Sequence, residues 1–124
     1  MNVVDSSGWL EYFSDAPNAE FFAPAIENTS ELIVPSISIY EVFKRVLQQK
    51  EESAALQAIA VMQQGLLVDL DVNLALNAAK ISTEYSLPMA DSIMLATALS
   101  YNATLWTQDA DFSGINGVKY VEKP

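Results

Sequence analysis

The sequence contains neither cysteine nor histidine. The lack of cysteine excludes disulfides, thiolate metal ligands and a cysteine nucleophile. The lack of histidine excludes Ser-His-Asp catalysis and the ordinary zinc sites as well. The side-chain ligands that remain are oxygen atoms, chiefly of carboxylates, and these suit hard cations such as Mg²⁺ or Mn²⁺.

Basic residues and long apolar runs are also scarce. Six Lys and Arg residues against sixteen Asp and Glu residues give a net charge of −10, the opposite of the basic footprint expected of a nucleic-acid-binding protein. The one basic cluster consists of Lys44, Arg45 and Lys50. The N-terminus does not resemble a signal peptide, and no apolar run approaches the length of a membrane span. We therefore expect a soluble, cytoplasmic protein with no membrane partner.

The chain has 124 residues, 51% of them hydrophobic, which predicts a single domain, 1–124, with a true core. Apolar runs predict strands over residues 1–4, 32–35, 66–70, 103–106 and 118–121. Helical spacing predicts helices over residues 8–13, 17–28, 36–50, 53–64, 72–85 and 88–102, with Pro24 kinking or splitting the second. Gly65 and Asn102 are predicted to cap two of these helices at their ends. This alternation predicts an α/β fold with a parallel sheet covered on both faces.

Residues 87–112 carry a helix with an acid in its first turn, followed by a strand that ends in two more acids. Pro88 suits the first turn, and Asp91 lies where the helix dipole favours a negative charge. Asp109 and Asp111 come directly after the strand. Residues just past the carboxyl ends of strands are where ligands bind in open α/β sheets.

Four acids share this kind of position, at a strand end or at the start of the helix beyond it. They are Asp5, Glu41, Asp91 and Asp109. Each has a structural alternative, since Asp5 fits an N-cap and Glu41 fits a capping box with Ser38. If the four converge at one edge of the sheet, they raise one another's pKa values unless a cation neutralises them. The pattern therefore predicts a divalent-metal site.

A further acidic pair, Asp69 and Asp71, has a simpler interpretation. Asp69 alternates with apolar residues, which is typical of the solvated side of a strand. Asp71 immediately precedes a helical pattern and is predicted to be its N-cap. We expect neither acid at the site.

Four segments together resemble the PIN-domain family: VVDSSGW at the N-terminus, SISIYEV around Glu41, LPMADSIMLATAL around Asp91 and LWTQDADF around Asp109. The resemblance covers essentially the whole chain, and in length and layout it is to the VapC-type toxins of type II toxin–antitoxin systems. It implies a three-layer α/β/α PIN-like fold with a central, mostly parallel sheet of about five strands.

The same resemblance implies an Mg²⁺- or Mn²⁺-dependent endoribonuclease, in which a metal-activated water attacks an RNA phosphodiester. The residues carried over are the metal-holding and catalytic quartet Asp5, Glu41, Asp91 and Asp109, with Asp111 as a peripheral acid that adds to the metal site and Ser6 and Thr107 as polar supports. It also implies a homodimer and a small cognate antitoxin whose tail occupies the active-site groove. The net charge of −10 suits a basic tail.

Other functions were weighed against this one. A catalytically weak PIN-like binding or regulatory module predicts a missing acid, but all four are present. A phosphatase of the haloacid-dehalogenase type needs a second Asp two residues after the first, where this chain has Ser7. A phosphoacceptor receiver domain needs an acidic pair after the first strand, where Asp5 stands alone.

Overall fold

A computed structural model describes all of the chain, residues 1–124. Its five strands are β1 (Asn2–Val4), β2 (Leu32–Pro35), β3 (Leu66–Val68), β4 (Thr104–Thr107) and β5 (Val118–Tyr120). Its six helices are α1 (Ser6–Phe13), α2 (Ala19–Glu27), α3 (Ser36–Gln49), α4 (Glu52–Met62), α5 (Val72–Tyr85) and α6 (Met89–Ser100). Short 3₁₀ turns lie at Thr29–Glu31 and Ala110–Phe112. No helix combines the length and the apolar composition needed to cross a bilayer.

The strands form one sheet in the order β3-β2-β1-β4-β5. All four neighbouring pairs are parallel, so the predicted parallel sheet is confirmed. From β1 the chain builds the sheet outward through β2 to β3, and then returns to place β4 on the other side of β1. The topological switch point therefore lies between β1 and β4, and ligands of open α/β sheets bind beyond the carboxyl ends of the strands at such a point.

Alternate side chains of the central strands point to opposite faces, and each face carries its own core. Val3, Ile33 and Leu105 pack with residues of α5 and α6. Val4 and Val34 pack with residues of α1, α2, α3 and α4. Helices therefore cover both faces, and the three-layer α/β/α arrangement is confirmed.

Gly8 allows α1 to lie close to this second core. A Cβ atom at this position would come within 2.6 Å of the Phe22 ring and 2.8 Å of a Val4 methyl group. Because side chains do not approach this closely, any larger residue would push α1 away from the sheet. The close packing fixes the start of α1, and with it the residues that follow β1.

Three expectations about helix ends need correction. Pro24 lies inside α2 and does not split it, since Ala25 and Ile26 beyond it are buried and keep the last turn on the core. Gly65 is not a left-handed cap; α4 ends at Gln63, and a Cβ atom at Gly65 would lie 2.9 Å from the Leu32 carbonyl oxygen.

The end of α6 falls one residue earlier than predicted. Tyr101 is its C-cap, and Asn102 follows in the left-handed conformation at φ +53°. Asparagine tolerates this conformation better than most residues. Asn102 thus ends the helix as expected in kind, but from the position after the cap.

Candidate metal centre

Three carboxylates meet beyond the carboxyl end of β4. Asp91, Asp109 and Asp111 each offer an oxygen atom, and these atoms lie within 4.8 Å of one another. Asp91 lies in the first turn of α6, and Asp109 precedes the 3₁₀ turn Ala110–Phe112. The Asp111 backbone N–H donates to Asp109 Oδ1 at 2.9 Å, which fixes the orientation of the Asp109 carboxylate. Three acids from two separate segments thus face one point.

Asp5 joins this edge of the sheet through Thr107. Because β1 and β4 are parallel and Val4 pairs with Trp106, Asp5 lies opposite Thr107. The buried Thr107 hydroxyl donates to Asp5 Oδ2 at 2.8 Å and accepts from the Asp109 backbone N–H at 2.9 Å. One hydroxyl therefore sets the relative position of two of the predicted site residues.

Asp5 occupies the N-cap position of α1 without capping it. Its side chain accepts no hydrogen bond from the backbone of the helix start. Instead, Asp5 Oδ2 accepts from the Thr107 hydroxyl and, at 3.2 Å, from the Ser7 hydroxyl. The N-cap alternative therefore gives the right position for Asp5 but the wrong partner for its carboxylate.

Glu41 reaches the same region from α3. Its Oε1 accepts from the Ser6 hydroxyl at 2.7 Å, a contact that links α3 to the start of α1. The predicted capping box is wrong, because α3 begins at Ser36, with Pro35 as its N-cap. Ser38 is therefore inside the helix, where its buried hydroxyl has no partner, and Glu41 is in the second turn rather than the first.

Burial and mutual repulsion make this edge unfavourable for negative charge. Burial, and then the charges of Asp5, Asp109, Glu41 and Asp111, raise the pKa of Asp91 to about 7. No hydrogen bond to Asp91 opposes these effects. Burial also raises the pKa of Asp5, and the charge of Asp109 adds to that rise, although hydrogen bonds from Thr107, Ser7 and the backbone act against it.

The turn that carries Asp109 is anchored from a distant part of the chain. The Asn18 side-chain amide donates to Gln108 Oε1 at 2.9 Å and to the Glu122 carbonyl oxygen at 3.2 Å. Gln108 itself is buried, immediately before Asp109. Nothing in the sequence pattern indicated this contact, because it joins residues ninety positions apart.

Another hollow, of about 280 Å³, lies between α1, α3 and α4 on the far side of these helices. Its lining is mainly apolar, with residues such as Leu10, Phe13, Val46 and Val61. Lys50 is its one charged residue. It contains no carboxylate, and the group of candidate catalytic residues is elsewhere.

The structure thus gathers five acids from four segments of the chain. Asp91, Asp109 and Asp111 form the tight group; Asp5 is linked to Asp109 by Thr107; and the charge of Glu41 acts on Asp91. Asp111, expected at the periphery, is exposed but lies as close to the other two as they do to each other. Asp69 and Asp71 lie outside the group, and Asp71 Oδ1 caps α5 by accepting from the Leu74 N–H at 2.9 Å.

Solved structures with the same fold come from toxin–antitoxin systems. A toxin–antitoxin complex from Klebsiella pneumoniae contains a chain that is 23% identical, with a TM-score of 0.81 and 96% of each chain covered. A DNA-bound VapBC from Salmonella typhimurium gives 18% identity and a TM-score of 0.76, covering 98% of this chain and 96% of the other.

A sarcin–ricin-loop-cleaving VapC toxin from Mycobacterium tuberculosis gives 13% identity and a TM-score of 0.77, covering 94% of this chain and 95% of the other. Such low identities establish a common fold. No curated protein matches the sequence at a significant level. The sequence profile of the PIN domain, however, matches residues 3–118, nearly the full length of the sheet and its helices. The chain belongs to the PIN-domain family.

Proposed function

We propose that this PIN domain is a divalent-metal-dependent endoribonuclease and acts as the toxin of a toxin–antitoxin pair. The observation that carries the proposal is the convergence of Asp91, Asp109 and Asp111 within 4.8 Å at the carboxyl edge of the sheet. Asp5 and Glu41 adjoin this group from β1 and α3. Like charges collected this closely are unfavourable unless a cation balances them.

The donor set fits Mg²⁺ or Mn²⁺. All of the candidate ligands are carboxylate oxygens, which hard divalent cations prefer, and the chain has no cysteine or histidine to favour a softer metal. No Lys or Arg side chain forms a salt bridge with any of the five acids. We infer that Asp5, Glu41, Asp91 and Asp109 hold the ion, with Asp111 available beside them.

When bound, the ion would supply positive charge at the phosphate and lower the pKa of the attacking water. The protein's own part is to hold the carboxylates in place. The Thr107 hydroxyl orients Asp5 and the Asp109 backbone, and the Ser6 hydroxyl orients Glu41. Such supporting hydrogen bonds fix the direction in which each ligand oxygen points.

We further propose an antitoxin partner with a basic tail that binds at this acidic edge. The proposal is supported by the net charge of −10 and by the likeness to chains from toxin–antitoxin complexes. A homodimer is supported by apolar side chains that the fold leaves open on one face of α5, where Val72 is 74% and Leu76 60% exposed. Light scattering of the purified chain would test the dimer.

Cleavage of structured RNA by the purified chain tests the enzymatic proposal. We expect cleavage with Mg²⁺ or Mn²⁺, none with EDTA, and none by the Asp5→Asn variant, which keeps the size of the side chain but removes its charge. A folded wild-type protein that cuts no RNA with either metal, across transfer, ribosomal and messenger RNA, would contradict the proposal. That result would favour a PIN-like binding or regulatory module.

A further inference from the structure

A hollow on the exposed side of α3 adjoins the carboxylates. It has a volume of about 190 Å³ and is lined by Tyr40, Glu41, Lys44, Arg45 and Gln48. These positions form one stripe along the helix, because residues three and four apart are neighbours on a helix surface. Two of the chain's six basic residues therefore face one small hollow.

Both cations are available to an anion from outside the chain. The only salt bridge in the structure joins the Met1 amine to Glu31 at 3.5 Å. Lys44 and Arg45 are exposed and have no carboxylate at salt-bridge distance, although the chain contains sixteen acids. Exposed cations in a protein with so large a negative excess mark the place where a negatively charged ligand meets least repulsion.

Tyr40 adds an aromatic face to this hollow. Its side chain is 60% exposed, and Lys44 Nζ lies 5.7 Å from the centre of its ring. An open aromatic ring beside cations is the combination that binds single-stranded nucleic acid, because a base stacks on the ring while the cations contact phosphate oxygens. Apolar core packing does not account for Tyr40, since most of its surface is in solvent.

Glu41 connects the hollow to the candidate metal centre. It lines the hollow, accepts from the Ser6 hydroxyl at 2.7 Å, and contributes to the raised pKa of Asp91. Lys44 and Arg45 follow Glu41 by three and four residues, about 5 Å further along the helix axis. That step is comparable to the spacing of one to two nucleotides along a strand, roughly 3.4 Å each.

We propose that this hollow is a subsite for a nucleotide next to the scissile phosphate, with Lys44 and Arg45 binding its phosphate and Tyr40 stacking on its base. The subsite rests on the proposed ribonuclease function and specifies its substrate. A base inside a duplex does not offer its face to a side chain. The nucleotide in this subsite is therefore unpaired, in a single strand, a loop or a bulge.

Binding and cleavage are measured separately to test the subsite. A short fluorescein-labelled single-stranded RNA is titrated with the full chain in Ca²⁺, and the same RNA is then cleaved in Mg²⁺ at several concentrations. The test variant is Lys44→Gln/Arg45→Gln. Its matched control is Lys80→Gln/Lys123→Gln, which removes two positive charges outside the hollow.

We expect the test variant to bind RNA at least about tenfold more weakly at low salt. Its plot of log affinity against log salt should also be shallower, by roughly 0.7 for each lost phosphate contact. In cleavage, KM should rise while kcat stays close to that of the wild type. The control pair should keep the wild-type salt dependence, because loss of net charge alone does not remove a phosphate contact.

Tyr40→Leu separates stacking from charge. It should weaken binding about tenfold with an unchanged salt dependence, whereas Tyr40→Phe should bind as the wild type does, since the ring is retained. Tyr85→Leu removes another exposed ring and should have no effect. All of these positions are at the surface, and circular dichroism and thermal unfolding would verify that each variant is folded.

The possible outcomes separate the subsite from the proposed function. Wild-type affinity and salt dependence in Lys44→Gln/Arg45→Gln would overturn the subsite, whether or not the chain is a ribonuclease. Binding that depends on these residues without any cleavage would support the subsite and contradict the ribonuclease. If the wild type neither binds nor cleaves RNA, both proposals fail.

Discussion

Asp71 at the start of α5 and Asp91 at the start of α6 look alike in the sequence, yet their surroundings are different. Asp71 is exposed and caps α5 through the Leu74 N–H at 2.9 Å. Asp91 caps nothing; it is half-buried and faces four other carboxylates. The helix start alone therefore does not reveal the role of an acid, and the neighbours brought by the sheet decide it.

The largest expected difference between the two aspartates is in catalysis. Asp91→Asn should reduce metal-dependent RNA cleavage at least about a hundredfold, because a metal ligand contributes several kcal/mol of transition-state stabilisation. Asp71→Asn, which makes the same chemical change at the other helix start, should cut RNA at the wild-type rate. The comparison fails if the two variants lose activity equally in the end-labelled RNA assay.

A smaller effect is expected from Thr107, which supports the site without being a ligand. Thr107→Val keeps the shape of the side chain but removes the hydroxyl that bridges Asp5 and the Asp109 backbone. Loss of such a support lowers metal affinity about 10- to 100-fold. Thr83→Val is the control, since the Thr83 hydroxyl bonds only to the Ala79 carbonyl in α5. Metal titrations that give equal affinities for both variants would count against the bridging role.

The two aspartates should also have opposite effects on stability. Asp71→Ala removes a helix cap, which should lower the free energy of unfolding by about 1 kcal/mol. Asp91→Asn relieves repulsion among the carboxylates, so in metal-free buffer its stability should equal or exceed that of the wild type. Urea unfolding measures both. A clear loss of stability in Asp91→Asn would mean that Asp91 has a structural role like that of Asp71.

The pH dependence of stability gives the smallest difference. The pKa of Asp91 is raised to about 7 in the fold, so the folded state binds this proton more tightly than the unfolded chain does. The free energy of unfolding in metal-free buffer should therefore fall as the pH rises from about 4 to about 7, and then level off. The raised pKa of Asp5 acts in the same direction.

Asp91→Asn should weaken that dependence, and Asp71→Asn should leave it unchanged. Urea midpoints measured across this range for the three proteins provide the test. Identical pH profiles for the wild type and Asp91→Asn would show that Asp91 does not titrate as its surroundings require.

The order of strands and helices was predictable because each has its own hydrophobic period and its own turn residues. The strand at 32–35 and the helix at 72–85 have the predicted bounds. Helix starts were less predictable: the S-x-x-E spacing at Ser38 and Glu41 fits a capping box, but Pro35 begins the helix two residues earlier. Local spacing cannot reveal that Glu41 instead pairs with Ser6, thirty-five residues away.

The predicted gathering of acids followed from one rule, that parallel strands end at the same edge of the sheet. The rule placed Asp5, Asp91 and Asp109 together, but it did not give the distances between them. The position of Asp111 in the tight group depends on the 3₁₀ turn after Asp109, which its side chain helps to form. The Asn18–Gln108 anchor depends on tertiary packing alone and has no sequence signal.

Binding of Mn²⁺ to the purified chain, followed by isothermal titration calorimetry, tests most directly whether the acidic edge is a metal centre. The wild type and Asp71→Asn should bind Mn²⁺ with the same affinity, and Asp91→Asn should show no saturable binding in the same range. Equal binding by all three proteins, or no binding by the folded wild type, would contradict the account.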